Sequence, residues 1–255
     1  FNIGIEENWS IDRFKVKDLE EDHIVQHMEE IMMLMAGRDD ILLLRRRPND
    51  RFICQMRSYG FEVPEIICPE KEDATKTITQ LALEDKKVVQ RLKKLSQEKS
   101  TYLLPYGVTE NEEVLAKACD MKIMGSDSAV ARASNSKLYT KELVKRLHLS
   151  SPDGKVCVNF DEIREEWHHL RKQFRRIVIK RPYGASGRGL YLVEDFEKLE
   201  KVLYILKRSG GLEEKWIVEG WYEDKKDLNT QMYICGDGKI MILSVKEQIL
   251  EETVY

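Results

Sequence analysis

Short apolar runs alternate with amphipathic, charged stretches through the first half of the chain. Ile41-Leu42-Leu43-Leu44 is a continuous apolar run, the pattern of a strand buried on both faces in a parallel sheet. Val63 to Cys68, Tyr102-Leu103-Leu104 and Lys122-Ile123-Met124 read as three further strands. Between them lie helical patterns. Leu19 to Ala36 has apolar residues at helical spacing, and Asp50 to Tyr59 is a short helix closed by Gly60. Glu72 to Lys99 repeats its charges at helical spacing, and Thr109 to Cys119 opens on a threonine cap. Strand and helix in alternation predict a small doubly wound parallel domain over residues 1–125.

Beyond Gly125 the pattern changes. Asn135 to Leu147 is helical, Ser151-Pro152-Asp153-Gly154 is a turn-rich break, and Glu162 to Arg175 is a charged helix. Ile177-Val178-Ile179-Lys180, Gly189 to Val193 and Trp216 to Glu219 read as strands. A helix from Phe196 to Lys207 starts near Asp195 and stops at Gly210-Gly211. Gln231 to Cys235 and Lys239 to Val245 flank Gly236-Asp237-Gly238, a strong hairpin signal. Hairpin-joined strands with inserted helices predict antiparallel sheets backed by helices over residues 126–255. The expected fold class is therefore α/β, a doubly wound parallel domain followed by an α+β region.

A net charge of −3 with both signs interspersed gives no broad basic field, which argues against nucleic acid as a partner. Arg45-Arg46-Arg47 and Arg175-Arg176 are read as solvated surface. Cys54, Cys68, Cys119, Cys157 and Cys235 form no C-x-x-C pair, so reduced thiols in a cytoplasm are expected. No apolar run approaches the ~20 residues that span a bilayer, so no membrane partner is expected. His23 and His27 stand four apart without the glutamate of a zinc-protease helix, and His168-His169 lies in a charged helix; both pairs are expected on the surface. Trp9, Trp167 and Trp216 are assigned to packing.

The most informative segment runs from Arg176 to Leu190, Arg-Ile-Val-Ile-Lys-Arg-Pro-Tyr-Gly-Ala-Ser-Gly-Arg-Gly-Leu. An apolar strand ends in Lys180, Pro182 stops the ladder, and a loop with three glycines leads to a second strand. Glycines let backbone N–H groups turn toward an anion, and a lysine adds a point charge beside them. That combination fits nucleotide phosphates. The loop is not a P-loop, since no lysine follows its last glycine, and the strand after it argues against a dinucleotide fold. Upstream, Asn135-Ser136-Lys137 opens a helix with a second lysine. Downstream, Trp216-Ile217-Val218-Glu219-Gly220-Trp221-Tyr222-Glu223 leads from a strand into irregular chain whose backbone could pair with an adenine edge.

These features, in this order, resemble the ATP-grasp superfamily, in which two lysines hold the phosphates, a glycine loop covers them and a hinge reads adenine. The likeness runs from Tyr102 onward, and the parallel first half resembles the family's preceding domain. It implies that Lys137 and Lys180 contact the α- and β-phosphates. It makes Gly184, Ser186, Gly187, Arg188 and Gly189 a phosphate lid, and Glu219 with the backbone of Gly220, Trp221 and Tyr222 the adenine hinge. Asp227 matches a ribose-holding position, with Glu223 close enough to compete. The family's metal-binding carboxylates, a Glu and a later Glu-x-Asn pair, have no counterpart before Tyr255, and Glu247, Glu251 and Glu252 do not reproduce the spacing. The resemblance implies further strands to close the sheet, so those ligands are expected beyond residue 255.

The resemblance implies a ligase that uses ATP and Mg²⁺ to turn a carboxylate into an acylphosphate. An amine or a carrier-protein thiol then attacks, and ADP and phosphate leave. The loop Tyr183 to Gly189 looks most like ligases acting on amino acids or peptides in bacterial secondary metabolism, including antibiotic assembly of the butirosin kind. A biotin-carboxylase-like or glycinamide-type ligase is the alternative within the fold. Two other classes stand beside these, an ATP-binding regulatory module without catalysis and an interaction protein with a structural glycine loop. The acid, the acceptor and the oligomeric state, a homodimer included, are left open.

Overall fold

The computed structural model describes residues 28–184, 189–208 and 214–249, and elements are numbered from the first of these. Two compact units divide the chain, their described parts being residues 28–135 and 136–249.

In the first unit, β1 (Ile41–Leu43) pairs in parallel with β2 (Glu65–Ile67), and β3 (Tyr102–Leu103) with β4 (Lys122–Ile123). The helices are α1 (Asp50–Ser58), α2 (Ile78–Glu84), α3 (Lys86–Glu98), α4 (Glu110–Ala118) and α5 (Ser128–Asn135). The segment Met28–Leu34 is a 3₁₀ helix rather than the α-helix its pattern suggests, and the start of that pattern lies outside the described residues. The single helix expected from Glu72 to Lys99 is two. Asp85 ends α2 and caps α3, its side chain accepting the N–H groups of Lys87 and Val88. Thr109 and Glu112 form a reciprocal capping box that starts α4. Ala82, Val88, Leu92, Leu115 and Cys119 pack as one core.

The parallel strands make two hydrogen-bonded pairs rather than one sheet. Residues of β1 and β3, together with Leu92 and Met121, line a cavity of about 600 Å³. The reading of Arg45 as solvated surface also needs correction. Its backbone N–H and Nε each donate to the buried Glu29 carboxylate at 3.0 Å. Burial pushes the Glu29 carboxyl up, and Arg45 opposes that. Arg46 and Arg47 are exposed, as expected.

The second unit is built on a four-stranded antiparallel sheet in the order β5-β8-β6-β7. These strands are β5 (Gly154–Cys157), β6 (Ile177–Lys180), β7 (Leu190–Val193) and β8 (Trp216–Gly220). Successive strand residues point to opposite faces. Ile177 and Ile179 of β6, with Trp216 and Val218 of β8, form a core with Ile163, Trp167 and Leu170 of α7 (Phe160–Leu170) and with Leu199, Leu203 and Leu206 of α8 (Phe196–Arg208). Val178 and Lys180, Ile217 and Glu219 therefore share the other face, the register pairing Val178 with Glu219 and Lys180 with Ile217. The remaining elements are α6 (Lys137–Arg146) and a hairpin of β9 (Leu228–Ile234) and β10 (Ile240–Glu247), whose strands are exposed along almost their whole length. The pattern missed α5 and β5. In β5, Gly154 stands at φ +138° against Val218, so a turn residue also opens a strand.

Two outcomes are expected from this packing. A Cβ on Gly154 would lie 2.0 Å from the carbonyl oxygen of Val218, so Gly154→Ala is expected to destabilise the chain by about 2 kcal/mol or more in urea unfolding. A loss under about 0.5 kcal/mol would contradict the packing. Cys157 lies fully buried in the core, and burial pushes its thiol up to about 12. A folded pKa above the free thiol's range of about 8.5 contributes stability below that range, which is lost as pH climbs through it toward 12. At about pH 8, iodoacetamide is expected to modify the exposed Cys54 of the folded chain and to spare Cys157 until urea unfolds it. Equal rates at the two cysteines would contradict this.

Candidate functional site

Every residue of β8 is buried, and one of them, Glu219, is a carboxylate only 4% exposed. Burying such a group is unfavourable unless cations and donors meet it. Lys180, on the adjacent strand and the same face, donates to Glu219 Oε2 at 2.6 Å. Lys141 of α6 donates to Oε1 at 2.7 Å. Lys141 also reaches the carbonyl of Pro152 at 2.5 Å and Ser151 Oγ at 3.3 Å, so all three of its N–H groups are engaged. Lys141 was missed in the sequence. Its position four residues after Lys137, on the same face of one helix, was the available signal.

Lys137 begins α6, with Ser136 as its cap. Its backbone N–H donates to the carbonyl of Pro182 at 2.9 Å, and its Nζ to the carbonyl of Gly184 at 2.7 Å. Lys137 and Lys180 are thus gathered at the start of the glycine loop, one at the turn after β6 and one at its last residue. Gly184 and Gly189 have φ of +137° and +72°. The N–H of Arg181 donates to Gly189 at 2.8 Å, which continues the β6–β7 ladder to the loop's base. Ser186, Gly187 and Arg188 lie outside the described residues.

The segment expected to serve as an adenine hinge is partly committed. The N–H of Gly220 donates to Asp153 at 3.0 Å, and that of Trp221 to Arg176 at 2.9 Å. Among the described residues no partner takes the N–H of Tyr222. Gly220 is required sterically, since a Cβ there would fall 2.5 Å from the Phe174 ring. That ring meets Tyr222 edge-on at 5.1 Å, and the Tyr222 hydroxyl donates to Asp153 at 3.1 Å. Trp221 has the Arg176 guanidinium 5.8 Å and the Lys225 ammonium 4.7 Å from its ring centroid. Asp227 pairs with Lys225, and Glu223 with Arg176, so both candidate ribose partners hold a cation. The hydrogen bond from Arg176 keeps the Glu223 carboxyl below the usual carboxylate range.

A second buried charge pair escaped the sequence reading. Arg181 Nε lies 3.5 Å from Glu214 Oε2, both side chains nearly inaccessible, and the guanidinium sits over the Trp216 ring at 5.5 Å. The histidine and tryptophan assignments stand where they are described. His168 and His169 are exposed, Trp167 and Trp216 are core, and Trp9, His23 and His27 lie outside the described residues. Among the described residues no group of three His, Cys, Asp or Glu could hold a metal ion, and no helix is long and apolar enough to cross a membrane.

Comparison with known proteins adds to this geometry. The Pre ATP-grasp domain family matches residues 28–121. The [butirosin acyl-carrier protein]–L-glutamate ligase of Niallia circulans is 24% identical over 255 residues, spanning 98% of this chain and 55% of that protein. The D-alanine–D-alanine ligase of Aquifex aeolicus is 25% identical over 194 residues, 74% of this chain and 60% of that one. A RimK domain ATP-grasp protein from Sphaerobacter thermophilus overlays 84% of this chain and 73% of its own at 14% identity, with a TM-score of 0.46. The chain spans little more than half the length of the curated relatives named here.

The ion pairs at Glu219 yield a direct test. Glu219→Gln leaves two ammonium groups facing a neutral amide, and a loss of about 2–3 kcal/mol is expected in urea unfolding. A change below about 0.5 kcal/mol would mean that the three groups do not meet in solution.

Proposed function

We propose, for a chain that belongs to the ATP-grasp superfamily and carries its pre-ATP-grasp domain over residues 28–121, that the second unit binds ATP and serves a carboxylate ligase. The observation that carries this reading is the gathering of Lys137, Lys180 and Glu219 where β6 enters the glycine loop. Lys137 and Lys180 would pair with phosphate oxygens as charge-assisted donors. The loop from Gly184 to Gly189 would lie over them, with Ser186 and Arg188 as further donors. The adenine edge would meet the carbonyl side of Glu219 to Trp221 and the N–H of Tyr222, and Asp227 would serve the ribose after exchanging Lys225 for a hydroxyl.

ATP supplies the phosphoryl group that converts a carboxylate into an acylphosphate, with ADP leaving, and an amine or thiol displaces phosphate in the second step. The chain's own part is to hold the nucleotide, neutralise its charge and keep water from the acylphosphate. Mg²⁺ belongs with the nucleotide as Mg-ATP, and no protein ligand is assigned to it. The relatives favour an amino acid as the acid, with a carrier-protein thiol or an amine as acceptor. A soluble cytoplasmic enzyme fits the cysteine usage.

Calorimetric titration of Mg-ATP into this chain and its Lys180→Ala variant tests the reading. Micromolar affinity is expected, weakened about tenfold or more in the variant. Equal affinity in both would remove Lys180 from the site, and no binding to the wild-type chain would overturn the nucleotide reading.

A further inference from the structure

We infer that Lys141 is a positioning residue that lets Lys180 leave Glu219 for a nucleotide phosphate. The inference rests on the ATP-binding reading of this site. Glu219 is shared between two lysines whose situations differ. Lys141 spends its three N–H groups on Glu219 Oε1, Pro152 and Ser151, and its side chain is 15% exposed. Among the described residues Lys180 makes one hydrogen bond, to Glu219 Oε2, and its side chain is 24% exposed. One ammonium is saturated and anchored to the turn before β5. The other engages one of its three donors among the described residues.

A lysine that is to meet a phosphate from this position must first release a buried carboxylate. If it were the sole counter-ion, its departure would strand that carboxylate in the sheet, a change about as costly as breaking a buried ion pair. Lys141 removes that obstacle. It stays on Oε1 while Lys180 rotates away, so Glu219 keeps a cation throughout and the backbone of the hinge keeps its place. The two lysines thus divide two tasks, one holding the strand's charge and one meeting the ligand.

A purely structural Lys141 would affect every ligand of the site alike, whereas this role concerns the phosphates. The test compares Mg-ATP and adenosine binding to wild type, Lys141→Met and the double variant Lys141→Met/Glu219→Gln, with thermal melts to establish folding. In Lys141→Met, ATP affinity is expected to fall about tenfold or more while adenosine affinity stays within about threefold. The double variant, with no carboxylate to strand, is expected to regain most of the lost ATP affinity. Equal losses for both ligands, no loss for either, or no recovery in the double variant would overturn the inference. If Lys141→Met does not fold, the double variant carries the test, and ATP weakened about tenfold more than adenosine in it would overturn the inference. Absence of ATP binding in wild type would instead overturn the underlying reading, and the inference with it.

Discussion

Glu219 is the charged side chain of a strand that is otherwise apolar and buried throughout, and its surroundings are arranged around that charge. A carboxylate in such a position needs cations, and strand alternation brings Lys180 to the same face from the neighbouring strand. The third member comes from a helix. Lys141 ties α6 to the sheet, while Lys137, one turn earlier, ties the same helix to Pro182 and Gly184. The helix start, the end of β6 and the base of the glycine loop are therefore fixed with respect to one another by three lysines and one glutamate. On the opposite face, Trp216, Val218, Ile177 and Ile179 bury against α7 and α8.

Glycine matters in this unit where backbone or ring approaches closely. Gly154 lets β5 lie against Val218, and Gly220 leaves room for Phe174, which in turn orients Tyr222. The N–H groups of Gly220 and Trp221 are committed to Asp153 and Arg176, and among the described residues that of Tyr222 has no backbone partner. The β9–β10 hairpin differs from the rest of the unit, since most of its apolar residues, Ile234, Ile242 and Leu243 among them, are exposed.

Much of this architecture was legible in the chain. Apolar runs such as Ile177 to Ile179 and Trp216 to Val218 announced strands, and Thr109, Gly60 and Gly236-Asp237-Gly238 announced their caps and turn. The order of Lys137, Lys180, the glycine loop and Glu219 reads as a nucleotide site, and the fold gathers the two lysines and the glutamate at the loop's start. The features that escaped were set by tertiary contact. Asp85 splits a helix because its side chain caps the next one, and β5 exists because Gly154 can approach β8. The Arg181–Glu214 pair looks like ordinary surface charge in one dimension, and Lys141 is marked only by its spacing from Lys137; the fold shows them buried against their partners. The division of the parallel strands into two separate pairs likewise has no signature in apolar runs that read as one sheet.

The most direct measurement is a crystal structure of this chain with Mg²⁺ and a non-hydrolysable ATP analogue. The account predicts phosphate oxygens within hydrogen-bond reach of Lys137 and Lys180 and adenine against Tyr222. An analogue bound elsewhere, with Lys180 still on Glu219 and the hinge empty at saturating nucleotide, would contradict it.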